Sequence, residues 1–150
     1  MDFQYGWLLN LICYLPLAGA LVMMAFINKE NSSAIKGFAT AVAALDFVIS
    51  IPLWFLYKPD GAEFQFATQF DWIPSVGVQY IFGVDGFAVL LILLTTLLGL
   101  IAIYSSYTAI VERQKEYYIF LLLLQTGMLG VFCSLDFILF YVFWEVMLVP

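Results

Sequence analysis

The sequence predicts an all-α polytopic membrane protein of about five transmembrane helices with one extramembrane β-hairpin. Three observations carry that prediction. Of the 150 residues, 65% are hydrophobic and 11% charged; a soluble domain has about 45–50% apolar and about 25% charged residues. Four apolar runs each approach or exceed the roughly 20 residues of a helical crossing, and a fifth begins at Asp136. Between the second and third runs, helical periodicity gives way to alternation with period two.

The first span is expected from about Tyr5 to Ile27. Tyr5 and Trp7 suit the membrane interface, where amphipathic rings anchor. Pro16 and Gly19 lie inside it, and both are tolerated when neighbouring helices re-satisfy the backbone. Ala18, Gly19 and Ala20 form a small patch that lets another helix approach. Met1 to Gln4 holds no basic residue, so no cleaved signal is read there.

Asn28 to Lys36 is a polar connection. The second span is expected from about Ile35 to Tyr57, with Asp46 near its middle. Ala39 and Ala43 share a face with Asp46 by helical spacing, which points to a closely packed contact. In Phe64 to Phe82, Phe64, Phe66, Phe70 and Trp72 alternate with Gln65, Ala67, Gln69 and Asp71. Pro74 to Gly77 is a turn signal, and Val78, Tyr80 and Phe82 resume the alternation. This reads as a hairpin lying on the helix bundle, its apolar face needing cover because a lone hairpin is marginal in water.

Asp85 is the expected N-cap of the third span, which runs from Gly86 to about Tyr107. A charged connection holds Glu112, Arg113, Lys115 and Glu116. The fourth span is expected from Tyr117 to about Leu135, with Gln125 and Thr126 as candidates for interhelical hydrogen bonds. Asp136 is a tight corner into the fifth span, whose 15 residues fall short of a crossing and fit a piece of something longer.

The main candidate for chemistry is Glu145, inside that fifth run. It lies about 13–14 Å along a helix from Asp136. Half of a hydrocarbon core is roughly 15 Å, so with Asp136 at the surface Glu145 sits near the midplane. An acid there is expensive, and its default reading is functional. Pro150 frees the carbonyl of Val146 four residues back, giving a polar niche beside Glu145. Asp46 and Asp136 are secondary candidates, and for Asp46 a structural carboxyl bonded to a neighbouring helix is an equal reading.

The chain has no histidine, so His-ligated haem, facial-triad iron and His zinc sites are excluded within it. Cys13 and Cys133 each lie in an apolar run and read as small core residues. No C-x-x-C, G-x-G-x-x-G or P-loop pattern occurs. Neither a cofactor nor a metal is expected in this chain, and no nucleic-acid partner follows from the net charge of −6.

Lys and Arg counts give the orientation. Lys29 and Lys36 lie in the first loop, Lys58 in the hairpin loop, Arg113 and Lys115 in the third. The N-terminus and hairpin are therefore expected outside, and the first and third loops in the cytoplasm.

Phe70 to Gly86 (F-D-W-I-P-S-V-G-V-Q-Y-I-F-G-V-D-G), Glu112 to Tyr118 (E-R-Q-K-E-Y-Y) and Asp136 to Pro150 (D-F-I-L-F-Y-V-F-W-E-V-M-L-V-P) together carry a resemblance. The chain resembles the N-terminal part of the chain M (chain 4) family, antiporter-like membrane subunits of respiratory complex I, the NADH:quinone oxidoreductase. The resemblance implies a fragment of a larger bundle with inverted repeats. It implies that residues 1–107 precede the first repeat, with the hairpin at 64–82 on the outer face, and that 108–150 begin that proton-translocating repeat. It implies that Glu145 faces a lysine on a later helix in a proton path. It further implies other complex I subunits as partners in a hetero-oligomer, the lipid bilayer around it, and a bacterial cytoplasmic (inner) membrane as location. It assigns Asp46 no role. A subunit of a cation/proton antiporter or membrane-bound hydrogenase is the alternative within the superfamily; a purely structural membrane scaffold is the alternative of another class.

Overall fold

A computed structural model describes residues 5–28, 30–61, 63–109 and 112–148, the side chains of residues 32 and 73 excepted. The readings made on Met1 to Gln4, Lys29 and Pro150 lie outside the described residues. The order is α1 (Gly6–Phe26), α2 (Ser32–Leu56), β1 (Gln65–Ile73), β2 (Val78–Val84), α3 (Gly86–Ala109), α4 (Gln114–Cys133) and α5 (Phe137–Leu148). Helices α1 to α4 are long and apolar enough to cross a membrane. The fifth expected span is a 12-residue apolar helix, about 18 Å long at 1.5 Å per residue.

The chain runs up and down, and polar contacts tie the two ends. At one end the hairpin bridges the start of α1, the ends of α2 and α4 and the start of α5. Asn10 donates to the Thr68 hydroxyl at 2.9 Å, and Lys58 N donates to Gln65 Oε1 at 2.9 Å. Leu135 N donates to Ile81 O at 2.9 Å. At the other end Tyr107 on α3 meets Thr40 and the Lys36 carbonyl on α2. Ser106 and Tyr117 join α3 to α4 at 2.8 Å, and Lys115 donates to the Met24 carbonyl at 3.1 Å. Lys36, Arg113 and Lys115 thus lie at the end opposite the hairpin.

Helix α4 is the central strut, packed on α1, α2, α3 and α5. Small residues set the spacing, because with lipid outside there is little hydrophobic drive between helices and close van der Waals packing takes over. A Cβ on Gly19 would lie 2.8 Å from Val42 of α2, and one on Gly127 2.8 Å from the Met147 backbone nitrogen of α5; one on Gly130 would enter the Phe143 ring. Ala39 and Ala43 are fully buried beside Asp46, as their shared face predicts.

The hairpin lies on the bundle, but not with the face the alternation predicts. Phe66 has φ +57°, a left-handed backbone that costs about 1–2 kcal/mol in an L-residue. It sits in a register shift between the Gln65–Val84 and Thr68–Phe82 pairs. The bulge breaks the parity, as bulges do by inserting an unpaired residue. Phe66 is therefore buried with Leu9, Ile12 and Phe82 in the core instead of sharing a docking face with Phe70 and Trp72. Phe70 stacks on its cross-strand partner Tyr80 at 4.7 Å, and Tyr80 on Phe82 at 4.7 Å. Toward the turn Phe70, Trp72 and Val76 stay exposed.

Candidate functional site

Asp46, Glu145 and Asp136, the three acids singled out by sequence, fall in three different environments. Asp46 lies near the middle of α2 and is fully buried. Gln125 Nε2 on α4 donates to its Oδ2 at 2.9 Å. Its other oxygen, Oδ1, has no hydrogen-bond partner, and the Thr126 hydroxyl next to Gln125 has none either. Gly99 of α3 makes room for this bond: a Cβ there would collide with Gln125 Oε1. One turn along α2, Ser50 meets Thr96 of α3 at 3.0 Å. Cys13 of α1 reaches the Thr126 carbonyl at 3.7 Å. Cys13 and Cys133 are both buried, in keeping with their reading as core residues. Of the two expected interhelical donors, Gln125 makes a side-chain bond; Thr126 contributes through its carbonyl.

Glu145 is on the exposed side of α5, with Tyr141 and Trp144. The Tyr141 hydroxyl, one turn back, is its hydrogen-bond neighbour. The buried side of α5 is Leu139 and Phe143. Phe143 packs at Gly130 and Met147 at Gly127, so Glu145 is level with residues 127–130, well inside the span of α4. Gln125 and Gly127 are two residues apart, about 200° around the helix. The two carboxyls consequently lie at similar depth on opposite sides of α4.

Asp136 is a corner acid. Its Oδ1 accepts from the Ile138 and Leu139 nitrogens at 2.9 and 3.3 Å, capping α5, and its Oδ2 accepts from the hairpin at Gln79 N at 3.3 Å. Desolvation pushes its pKa up, but these three donors favour the charged form and leave it below the ordinary carboxylate value. Asp85 caps α3 through Ala88 N at 2.9 Å, as its position predicts. Among the described residues, no group of three His, Cys, Asp or Glu could hold a metal ion.

No family model matches the chain. It is 34% identical over its full length to NAD(P)H-quinone oxidoreductase chain 4 2 of Thermosynechococcus vestitus. It is 35% identical over 90% of its length to NADH-ubiquinone oxidoreductase chain 4 of Chondrus crispus. A chain of respiratory complex I from Thermus thermophilus superposes on 95% of it with a TM-score of 0.78 at 25% identity.

This chain is a homologue of complex I chain 4.

It spans 28% and 27% of the lengths of those two chain 4 relatives, and 27% of the Thermus chain. A chain of the membrane-bound sulfane sulfur reductase, an archaeal respiratory membrane complex, shares the fold over 93% of this chain, with a TM-score of 0.73 at 19% identity. The chain 4 relatives are named as subunits of a quinone oxidoreductase. For a chain 4 homologue, sequence reasoning missed the pairing of Asp46 with Gln125. Each was marked as a polar residue in an apolar run, but nothing in the spacing joins residues 79 apart in the chain.

Proposed function

We propose that this chain is part of a proton-translocating membrane subunit of an NADH:quinone oxidoreductase. It couples quinone reduction elsewhere in the complex to proton transfer through Glu145. One observation carries the reading: Glu145 stands on the outward face of an apolar helix, level with residues 127–130 inside the span of α4, with Tyr141 as its hydrogen-bond neighbour. A carboxyl shown to lipid at that depth is costly, so it calls for a polar or cationic partner. A lysine from a later helix is the partner that the chain 4 resemblance supplies. A carboxyl in that setting is neutral when desolvated and ionised when a cation approaches, so movement of the lysine loads and unloads it.

The rest follows from this reading. Residues 1–107 precede the first antiporter-like repeat, and 108–150 begin it. Redox energy reaches this subunit from other subunits of the hetero-oligomer. The exposed Phe70, Trp72 and Val76 at the hairpin turn receive a neighbouring subunit, since an apolar patch of this kind marks an interaction site. The protein lies in a bacterial cytoplasmic membrane with the hairpin outside. The grouping of Lys36, Arg113 and Lys115 at the opposite end supports that orientation.

The test is Glu145→Gln in inverted vesicles. NADH-driven proton uptake should fall strongly while the complex still assembles. Uptake at the parental rate would favour the scaffold reading.

A further inference from the structure

Among the described residues, Asp46 is the buried carboxyl that this mechanism leaves unused. It has full burial, one neutral donor and one empty acceptor position. Among the described residues no Lys or Arg lies in ion-pair distance of it. The titratable groups within electrostatic reach are the thiols Cys13 on α1 and Cys133 on α4; from α3 the neighbouring polar group is Thr96, through Ser50. A purely structural carboxyl would be expected to have both oxygens satisfied, because a half-satisfied buried network is worse than an apolar one.

Gln125 has a second side. It lines a cavity of about 170 Å³ between α3 and α4, together with Thr95, Gly99, Ala102, Leu121 and Met128. A water occupies about 30 Å³ of liquid, so this cleft has room for several. Gln125 therefore stands between the buried carboxyl and this mostly apolar cleft, where its own amide and the Thr95 hydroxyl are the polar groups that would hold an entering water. An amide can accept on its oxygen and donate from its nitrogen, so it links the two without carrying charge itself.

We propose that Asp46, with Gln125, is a second proton-binding site in the membrane interior, exchanging protons through the cleft between α3 and α4 and separate from Glu145. The proton resides on the Asp46 carboxyl, which donates from Oδ1 to an entering water; release leaves a carboxylate held by Gln125 Nε2. The role as a proton store does not require the chain 4 reading, but its use in pumping rests on it.

The experiment uses the full-length subunit in its native complex and membranes. The probe is N,N′-dicyclohexylcarbodiimide, which reacts with protonated carboxyls in apolar surroundings, with adducts located by peptide mass spectrometry. The expected result is an adduct on Asp46 that declines about tenfold per pH unit above a midpoint and is absent in Asp46→Asn. Gln125→Leu removes a donor to the ionised form, so the midpoint should move to higher pH. Proton uptake per assembled complex should drop several-fold in Asp46→Asn, although Asn preserves volume and can still accept from Gln125. No Asp46 adduct at any pH while Glu145 reacts, or an adduct indifferent to pH, would overturn the proposal. If Glu145→Gln pumps normally but Asp46 still titrates, the pumping role of Glu145 fails and the Asp46 site stands.

Discussion

Asp46 and Glu145 lie at similar depth on opposite sides of α4, one enclosed by three helices and the other facing outward. Asp46 is held by Gln125 across a close helix contact, where Ala39, Ala43 and Gly99 let the helices close in. Glu145 has Tyr141 of its own helix as its hydrogen-bond neighbour. Two acids with the same sequence signature, a lone carboxyl in an apolar run, thus serve different physics. The first joins helices within the fold. The second is available to whatever packs against α5. The difference teaches that hydropathy locates an intramembrane acid, while the small residues around it decide whether it is enclosed.

Changes that disturb the packing around α4 should weaken the fold, whereas removing the titratable proton from either carboxyl should lower transport. The largest expected effect is Gly130→Leu. The Phe143 ring occupies the space that side chain needs, and overpacking of this kind costs about 1–3 kcal/mol or more. Loss of α5 docking should appear as reduced assembled complex on a native gel; a normal yield would show that α4 and α5 tolerate separation. Next is Asp46→Leu, which strands Gln125 Nε2 in the interior at about 1–3 kcal/mol. Its thermal midpoint in detergent should drop, and Asp46→Leu with Gln125→Leu should regain part of the loss. No recovery would mean that the bond is not what joins α2 to α4.

A smaller effect is expected from Trp72→Ala at the hairpin turn. The residue is exposed, so the chain itself should fold normally while attachment to a neighbouring subunit weakens. Normal assembly with slowed turnover would count against that role. The smallest concerns Asp136, whose pKa is lowered by three backbone donors. A lowered folded-state value means that its contribution is present above the ordinary carboxylate value and is lost as pH falls through the folded one. Hydrogen exchange at Gln79 and Leu139 should therefore accelerate in acid, and Asp136→Asn should abolish that acid dependence. Unchanged exchange across the acid range in the parental chain would contradict the capping account.

Much of the fold was legible because its signals are local. The length of the apolar runs located α1 to α4 to within a few residues at each end, Pro74 to Gly77 marked the turn, and Asp85 marked the start of α3. Phe66 was misread because a bulge is a pairing event: nothing in F-Q-F-A-T announces that one residue will take a left-handed backbone and swing into the core. Asp46 was half legible. Its small-residue face was visible, but the donor came from another helix, and so did the glycine that leaves room for it. Residue counts alone gave Glu145 an expected depth, whereas which side of α5 it occupies depends on Gly127 and Gly130 meeting Met147 and Phe143.

The most direct test of the open-side claim is proton uptake by inverted vesicles on NADH addition, normalised to assembled complex, across Glu145→Gln, Glu145→Asp and Glu145→Ala. Gln keeps the volume and hydrogen bonding and removes the titratable proton. The account predicts normal assembly for all three, strongly lowered uptake for Gln and Ala, and partial uptake for Asp, with electron transfer falling in step. Uptake at the parental rate in the Gln variant would contradict it.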